Sequence, residues 1–157
     1  MQLLHVIEKH GRMPENLIHM LLEYQDSKPD NFISEAEVKT FAEELGLPES
    51  RVYSVITFYS LFSTKPRGKY VIQVCDNVPC YVNGSVDVVR ELEDKLRIGM
   101  GETTPDHVFT LEYSSCLGCC DKSPALRIGK ELYGNLTPEK IAELIEQYRR
   151  KYDESRE

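Results

Sequence analysis

Two pairs of cysteines constrain this chain more than anything else in it. Cys75 and Cys80 stand in VCDNVPC; Cys116 and Cys120 stand in SSCLGCC, with Cys119 inside the second pair. Each pair follows a segment that reads as a strand. Residues 70–74 are rich in β-branched and aromatic side chains, and residues 108–113 alternate apolar with polar. A fold that sets these two strands side by side delivers both cysteine loops to one edge of a sheet. Four sulfurs from two separated segments then close around one centre.

The spacings, C-x4-C and C-x3-C, bear on what that centre holds. Structural zinc favours C-x2-C, and both loops here are longer. A binuclear iron–sulfur cluster, in which each iron takes two thiolates, suits a wider cradle, and plant-type ferredoxins use a C-x4-C element. The remainder of that ferredoxin spacing is absent. Disulfides suit a reducing compartment poorly, and five cysteines leave one over. A thioredoxin-type dithiol needs C-x2-C, which Cys116 and Cys119 alone provide. Spacing by itself leaves iron–sulfur, zinc and thiol chemistry open.

The chain changes character near residue 65. Before it the texture is helical. Leu17, Ile18, Leu21 and Leu22 form a stripe behind Pro14, and Ser34 with Glu37 forms a capping box. That box opens a helix bearing Val38, Phe41, Ala42 and Leu45, which stops at Gly46. Pro48 opens another, with Val52, Val55, Ile56 and Tyr59 on its stripe. TKPRGK, residues 64–69, is a turn-rich linker. Beyond it the expected order is strand 70–74, a helix from Gly84-Ser85 with Val86, Val89, Leu92 and Leu96 inward, a loop over 99–106, and strand 108–113. A hairpin of 125–128 and 131–133 follows, then a last helix capped by Thr137-Pro138, with Ile141, Leu144, Ile145 and Tyr148 inward. The charged tail KYDESRE is expected to fray. The resulting fold class is α+β, with a helical domain over 1–65 and an α/β domain over 66–157.

A net charge of −7 argues against a general nucleic-acid binder. The segment 33–59 scans as a helix-turn-helix, yet its second helix has Arg51 as its only base. Residues 1–65 carry six Lys and Arg against ten Asp and Glu. No apolar run approaches the ~18 residues of a membrane span, and MQLLHVIEKH lacks the apolar stretch of a signal peptide. A cytoplasmic protein without direct membrane insertion is expected. His5, His10, His19 and His107 make no ligand spacing with the cysteines. Tyr53, Phe58, Tyr59 and Phe62 read as core or subunit contact, while Glu43, Glu44, Glu91, Glu93 and Asp94 read as solvated helix faces.

The residues around the cysteines say more than the spacing. FYSLFSTKPRGKYVIQVCDNVPCYVNGS, followed by GETTPDHVFTLEYSSCLGCCDKSPALRIGKELYGNLTPEKI, closely resembles the NADH-quinone oxidoreductase E-subunit family. Its relatives include small iron–sulfur subunits of NAD-linked hydrogenases and formate dehydrogenases. The resemblance extends to FISEAEVKTFAEELGLPESRVYSVITFYS and so covers nearly the whole chain. It implies an N-terminal helical bundle followed by a thioredoxin-like domain binding one [2Fe–2S] cluster, with Cys75, Cys80, Cys116 and Cys120 as ligands. Cys119 falls just before the last ligand, and Asn83 stands where relatives often carry a basic residue. The implied function is one-electron transfer within a multisubunit NAD(P)H-linked oxidoreductase, beside a flavoprotein subunit that holds FMN and NAD(P). No G-x-G-x-x-G is present here to bind a dinucleotide. The isolated chain is then redox-active but catalytically incomplete, with no catalytic acid, base or nucleophile. Gly118 and Gly84 are expected to let the loops approach the cluster, and Asn77 and Ser85 to donate toward it. The alternative is an iron–sulfur or zinc module with a redox-sensing, regulatory or structural role.

Overall fold

The structure, a computed structural model, describes residues 3–155. The chain divides into two compact units, Met1–Arg67 and Gly68–Glu157. Among the described residues, no helix is long and apolar enough to cross a membrane.

The first unit is a bundle of α1 (Leu3–His10), α2 (Leu17–Ser27), α3 (Glu35–Leu45) and α4 (Glu49–Phe58). Its start and stop signals act as the sequence predicts. The Ser34 hydroxyl accepts the Glu37 N–H at 3.4 Å, and the Glu37 carboxylate accepts the Ser34 N–H at 2.7 Å. Gly46, at φ +63°, ends α3 and returns its N–H to the Ala42 and Glu43 carbonyls. Val38, Phe41, Ala42 and Leu45 then face Leu21, Val52 and Ile56 in one core. Each Val, Leu, Ile or Phe side chain so buried contributes roughly 1.5–3 kcal/mol.

The start of the segment read as a linker, and the residues just before it, are anchored to this bundle. Gln25 is buried, donating to the Leu61 carbonyl and accepting the Ser63 N–H. Arg67 is buried too, with Nε donating to the Asn31 carbonyl at 3.0 Å. The expected stripe of α4 needs correction at Tyr59, which lies beyond the helix and is partly exposed, while Phe62 takes the core position. Tyr53 and Phe58 also face outward, Phe58 being 80% exposed. An α4 face of this composition lacks the basic side chains that phosphate contacts require.

The second unit is built on β1 (Tyr70–Cys75), flanked by parallel β2 (Phe109–Ser114) and antiparallel β3 (Leu126–Ile128), which pairs with β4 (Glu131–Tyr133). Between β1 and β2 run the short α5 (Val78–Val82) and the crossover α6 (Ser85–Leu96), and α7 (Pro138–Glu154) closes the unit. Ile72 and Val74 of β1 join Val88, Val89, Leu92 and Leu96 of α6 and Ile141, Leu144, Ile145 and Tyr148 of α7 in a single core. The intervening Gln73 belongs to the other sheet face. It donates to Glu112 at 3.3 Å and accepts from Arg127 Nε at 2.9 Å. Period-two alternation thus separates an apolar face from a polar ladder.

Three expectations change here. On α6 it is Val88 that turns inward, with Val86 37% exposed, because Ser85, Val88, Val89, Leu92 and Leu96 share the helical stripe. The stretch holding Cys80 is not all loop, since Cys80 sits on α5. The charged tail does not fray at its start. Residues 151–154 continue α7, with the Lys151 ammonium 4.7 Å from the Tyr148 ring centre and Tyr152 against the core. Its last two residues, 156 and 157, lie outside the described ones.

Candidate metal centre

The β1–β2 ladder runs in parallel from Tyr70↔Phe109 to Cys75↔Ser114, so both strands end level. Cys75 is the last residue of β1, and Cys116 lies two residues past β2. Both cysteine segments therefore leave the same edge of the sheet. The hydrogen bond from Asp76 N–H to the Ser114 carbonyl, 3.1 Å, ties their first residues together.

The two pairs have opposite settings. Cys75 and Cys80 are buried and pack with Ala125, against which Leu117 and Cys119 also rest. Cys116 and Cys120 are exposed, with their sulfurs 3.5 Å apart. Two thiolates sharing one tetrahedral metal at ~2.3 Å stand about 3.8 Å apart. The pairs also sense each other: Cys120 lies within electrostatic reach of both Cys75 and Cys80. Among the described residues, no three His, Cys, Asp or Glu side chains converge in a site for a single metal ion.

Electrostatics follow from these settings. Burial pushes the Cys80 thiol up to about 11, the hydrogen bond it makes with Cys75 adds to the rise, and the Ala125 N–H opposes it. In the exposed pair, the Gly118 N–H holds the Cys116 thiol below its ordinary value, and a hydrogen bond from Cys120 lowers it further. Cys120, as the donor, is raised by that bond. Two backbone N–H groups thus point at sulfurs, one per pair, each favouring thiolate.

Gly118 sits at φ +79°, which aims its N–H at Cys116. Gly84 likewise sits at φ +94° and serves as N-cap of α6. Asn77 is the N-cap of α5, without a side-chain cap bond, and Ser85 is buried at the head of α6.

Sequence reasoning missed Ala125. Its carbonyl accepts the Cys75 N–H at 3.1 Å while its N–H points at Cys80. A backbone group leaves no signature in the residue type, so no motif could have pointed to it. The other polar groups have local tasks. His10 pairs with Glu23 at 2.7 Å and stacks with His19. Glu44 pairs with Arg12, Glu91 pairs with Lys95 at 3.2 Å, and Glu93 accepts the Met100 N–H at 3.0 Å.

Comparison with known proteins places the chain as a whole. Residues 3–149 match the family model described as thioredoxin-like [2Fe-2S] ferredoxin. The chain is 41% identical over 121 residues to the NADH-quinone oxidoreductase E-subunit of Pseudomonas aeruginosa, covering 77% of this chain and 73% of that protein. With the E-subunit of Rickettsia felis the identity is 39% over 139 residues, covering 88% and 82%. With that of Escherichia coli strain K12 it is 42% over 122 residues, covering 78% and 74%. Among solved structures, an NAD+-reducing [NiFe]-hydrogenase in the air-oxidized state superposes at a TM-score of 0.76 and 22% identity over 91% of this chain. The chain spans 24% of that hydrogenase chain, and the likeness is one of fold.

Proposed function

We propose, for a chain that belongs to the thioredoxin-like [2Fe–2S] ferredoxin family, that Cys75, Cys80, Cys116 and Cys120 hold one [2Fe–2S] cluster. On this reading the protein serves as a one-electron subunit of a multisubunit NAD(P)H-linked oxidoreductase. The observation that carries the reading is the level ending of the parallel β1–β2 ladder, which brings two cysteine pairs to one sheet edge. The donor set fits the group: four sulfurs in two pairs, one pair with sulfurs 3.5 Å apart, and an N–H directed at a sulfur in each.

When bound, such a cluster supplies reversible one-electron redox chemistry. The residues of this chain do the rest. Cys75, Cys80 and Ala125 form the dry side, where water is excluded. Cys116 and Cys120 form the side open to solvent. The Gly118 and Ala125 N–H groups favour negative charge on Cys116 and Cys80 and so ease the addition of an electron. Neither a general acid nor a nucleophile is required. FMN and NAD(P) belong, on this reading, to a flavoprotein partner, and the isolated chain is catalytically incomplete.

Iron, sulfide and zinc analysis of anaerobically purified protein, with EPR before and after dithionite, tests this. About two irons and two sulfides per chain, silent until reduced, support it. Stoichiometric zinc with no signal on reduction overturns it in favour of a structural or regulatory module.

A further inference from the structure

Beside the first cysteine pair lies a cavity of about 390 Å³. Its lining includes Asp76 and Tyr81, the residues that follow Cys75 and Cys80 in the chain, together with Tyr113 of β2 and the apolar Val86 and Val89 of α6. Both tyrosines are more than half exposed. Ser85, also in the lining, is buried, and its hydroxyl has no hydrogen-bond partner among the described residues. The Asp76 carboxylate is likewise without a partner among them. Glu93 brings a second carboxylate to the cavity, while the guanidinium there, Arg90, is already engaged by Asp87 at 3.5 Å.

We propose that this cavity receives an arginine side chain presented by the protein with which the cysteine-held centre exchanges electrons. The proposal rests on the electron-carrier reading above. The charge balance decides against an anion, since two carboxylates face one guanidinium that is already paired. Aromatic rings and a carboxylate together suit a cation, which is drawn to both ring face and negative charge. Arginine suits the site better than lysine: its planar fork stacks on a tyrosine while donating to Asp76 and Ser85 at once. Val86 and Val89 accommodate its methylene stem. Val78 and Val82, on the same short helix as Tyr81, are exposed as well. Tyrosine and arginine are the residues on which interfaces concentrate their energy. A partner anchored here stands directly against the loop that carries Cys75 and Cys80.

The test uses the full chain, purified with its metal and kept oxidised, and follows the methyl resonances of Val86 and Val89 by NMR. The probe is N-acetyl-arginine amide, with N-acetyl-citrulline amide as its neutral isostere. Saturable shifts with the arginine probe, absent with citrulline, are expected. Asp76→Asn should weaken binding about tenfold. Tyr113→Leu, which lies outside the cysteine loops, should weaken it as well while the visible absorption spectrum stays unchanged. Equal response to both probes, no response, or a response that neither variant alters would overturn the proposal. Iron and sulfide content of the same sample tests the electron-carrier reading separately. Arginine-selective binding to protein that holds no iron would sink that reading, and with it the identity of the partner.

Discussion

The Cys75 N–H donates to the Ala125 carbonyl at 3.1 Å, so the first cysteine hangs from the residue that also aims its own N–H at Cys80. Ala125 is itself buried and packs with both cysteines. Ala125→Val inserts two methyl groups into a closed contact and should destabilise the α/β unit by about 1–3 kcal/mol. Iron content should fall with it. Urea midpoints and iron analysis of the variant check both, and unchanged values would show that Ala125 is not a clamp.

Among the thiols the proposed ligand set gives an asymmetric outcome. Cys75→Ser, Cys80→Ser and Cys116→Ser should each lose or badly damage the cluster, as should Cys120→Ala. Cys119→Ala should keep it, because Cys119 packs against the buried pair as a small apolar group. Iron content and the reduced EPR signal decide. A cluster retained in Cys120→Ala and lost in Cys119→Ala would reassign the fourth ligand.

Gly134 controls the second cysteine segment from outside it. A Cβ there would lie 2.5 Å from both the Cβ and the carbonyl oxygen of Lys122, two residues past Cys120. Gly134→Ala should therefore displace that segment and cost about 1–3 kcal/mol, with a broadened or shifted EPR signal. Lys122→Gly in the same chain removes one of the two clashing atoms and should restore part of the signal.

In the helical unit, Glu37 supplies a pH dependence. Burial pushes its carboxyl up, but hydrogen bonds from Tyr24, Lys28 and Ser34 outweigh this, and the net value lies below the ordinary one. A group depressed on folding stabilises the native state above its unfolded value and loses that contribution as pH falls through the folded value. Denaturation midpoints should drop from about pH 5 downward, and Glu37→Gln should flatten that part of the profile. Equal profiles for the two proteins would count against the Glu37 network.

Ser34→Ala removes one half of the capping box and should cost about 1 kcal/mol. Circular dichroism melts read this directly.

How far the sequence reached depended on whether a structural cause sits in a side chain. Ser34, Glu37, Gly46 and Thr137 carry their capping chemistry in their own atoms, so these helix ends were legible. The strands ahead of the two cysteine pairs were legible, β1 by its β-branched and aromatic side chains and β2 by alternation. The five residues of α5 were not, since one turn of helix is too short for periodicity and its N-cap makes no side-chain bond. Val86 and Val88 are chemically alike, and only the position of the α6 stripe decides which is buried. The charges of KYDESRE, residues 151–157, suggested a loose end, but Tyr148 and Tyr152 extend the buried side of α7 beneath its first residues. The N–H groups of Gly118 and Ala125 belong to the backbone, where residue type says nothing about aim.

The six-pair ladder between β1 and β2 also acts as a ruler. Removing one residue from either strand alone would slide its pairing by one and turn its cysteine segment toward the opposite face of the sheet. A residue inserted in the turn around Arg97–Met100, upstream of β2, changes no pairing within that ladder. Homologous chains of different length can therefore absorb the difference there, while the run from Tyr70 to Cys75 and its counterpart from Phe109 to Ser114 must keep the same count.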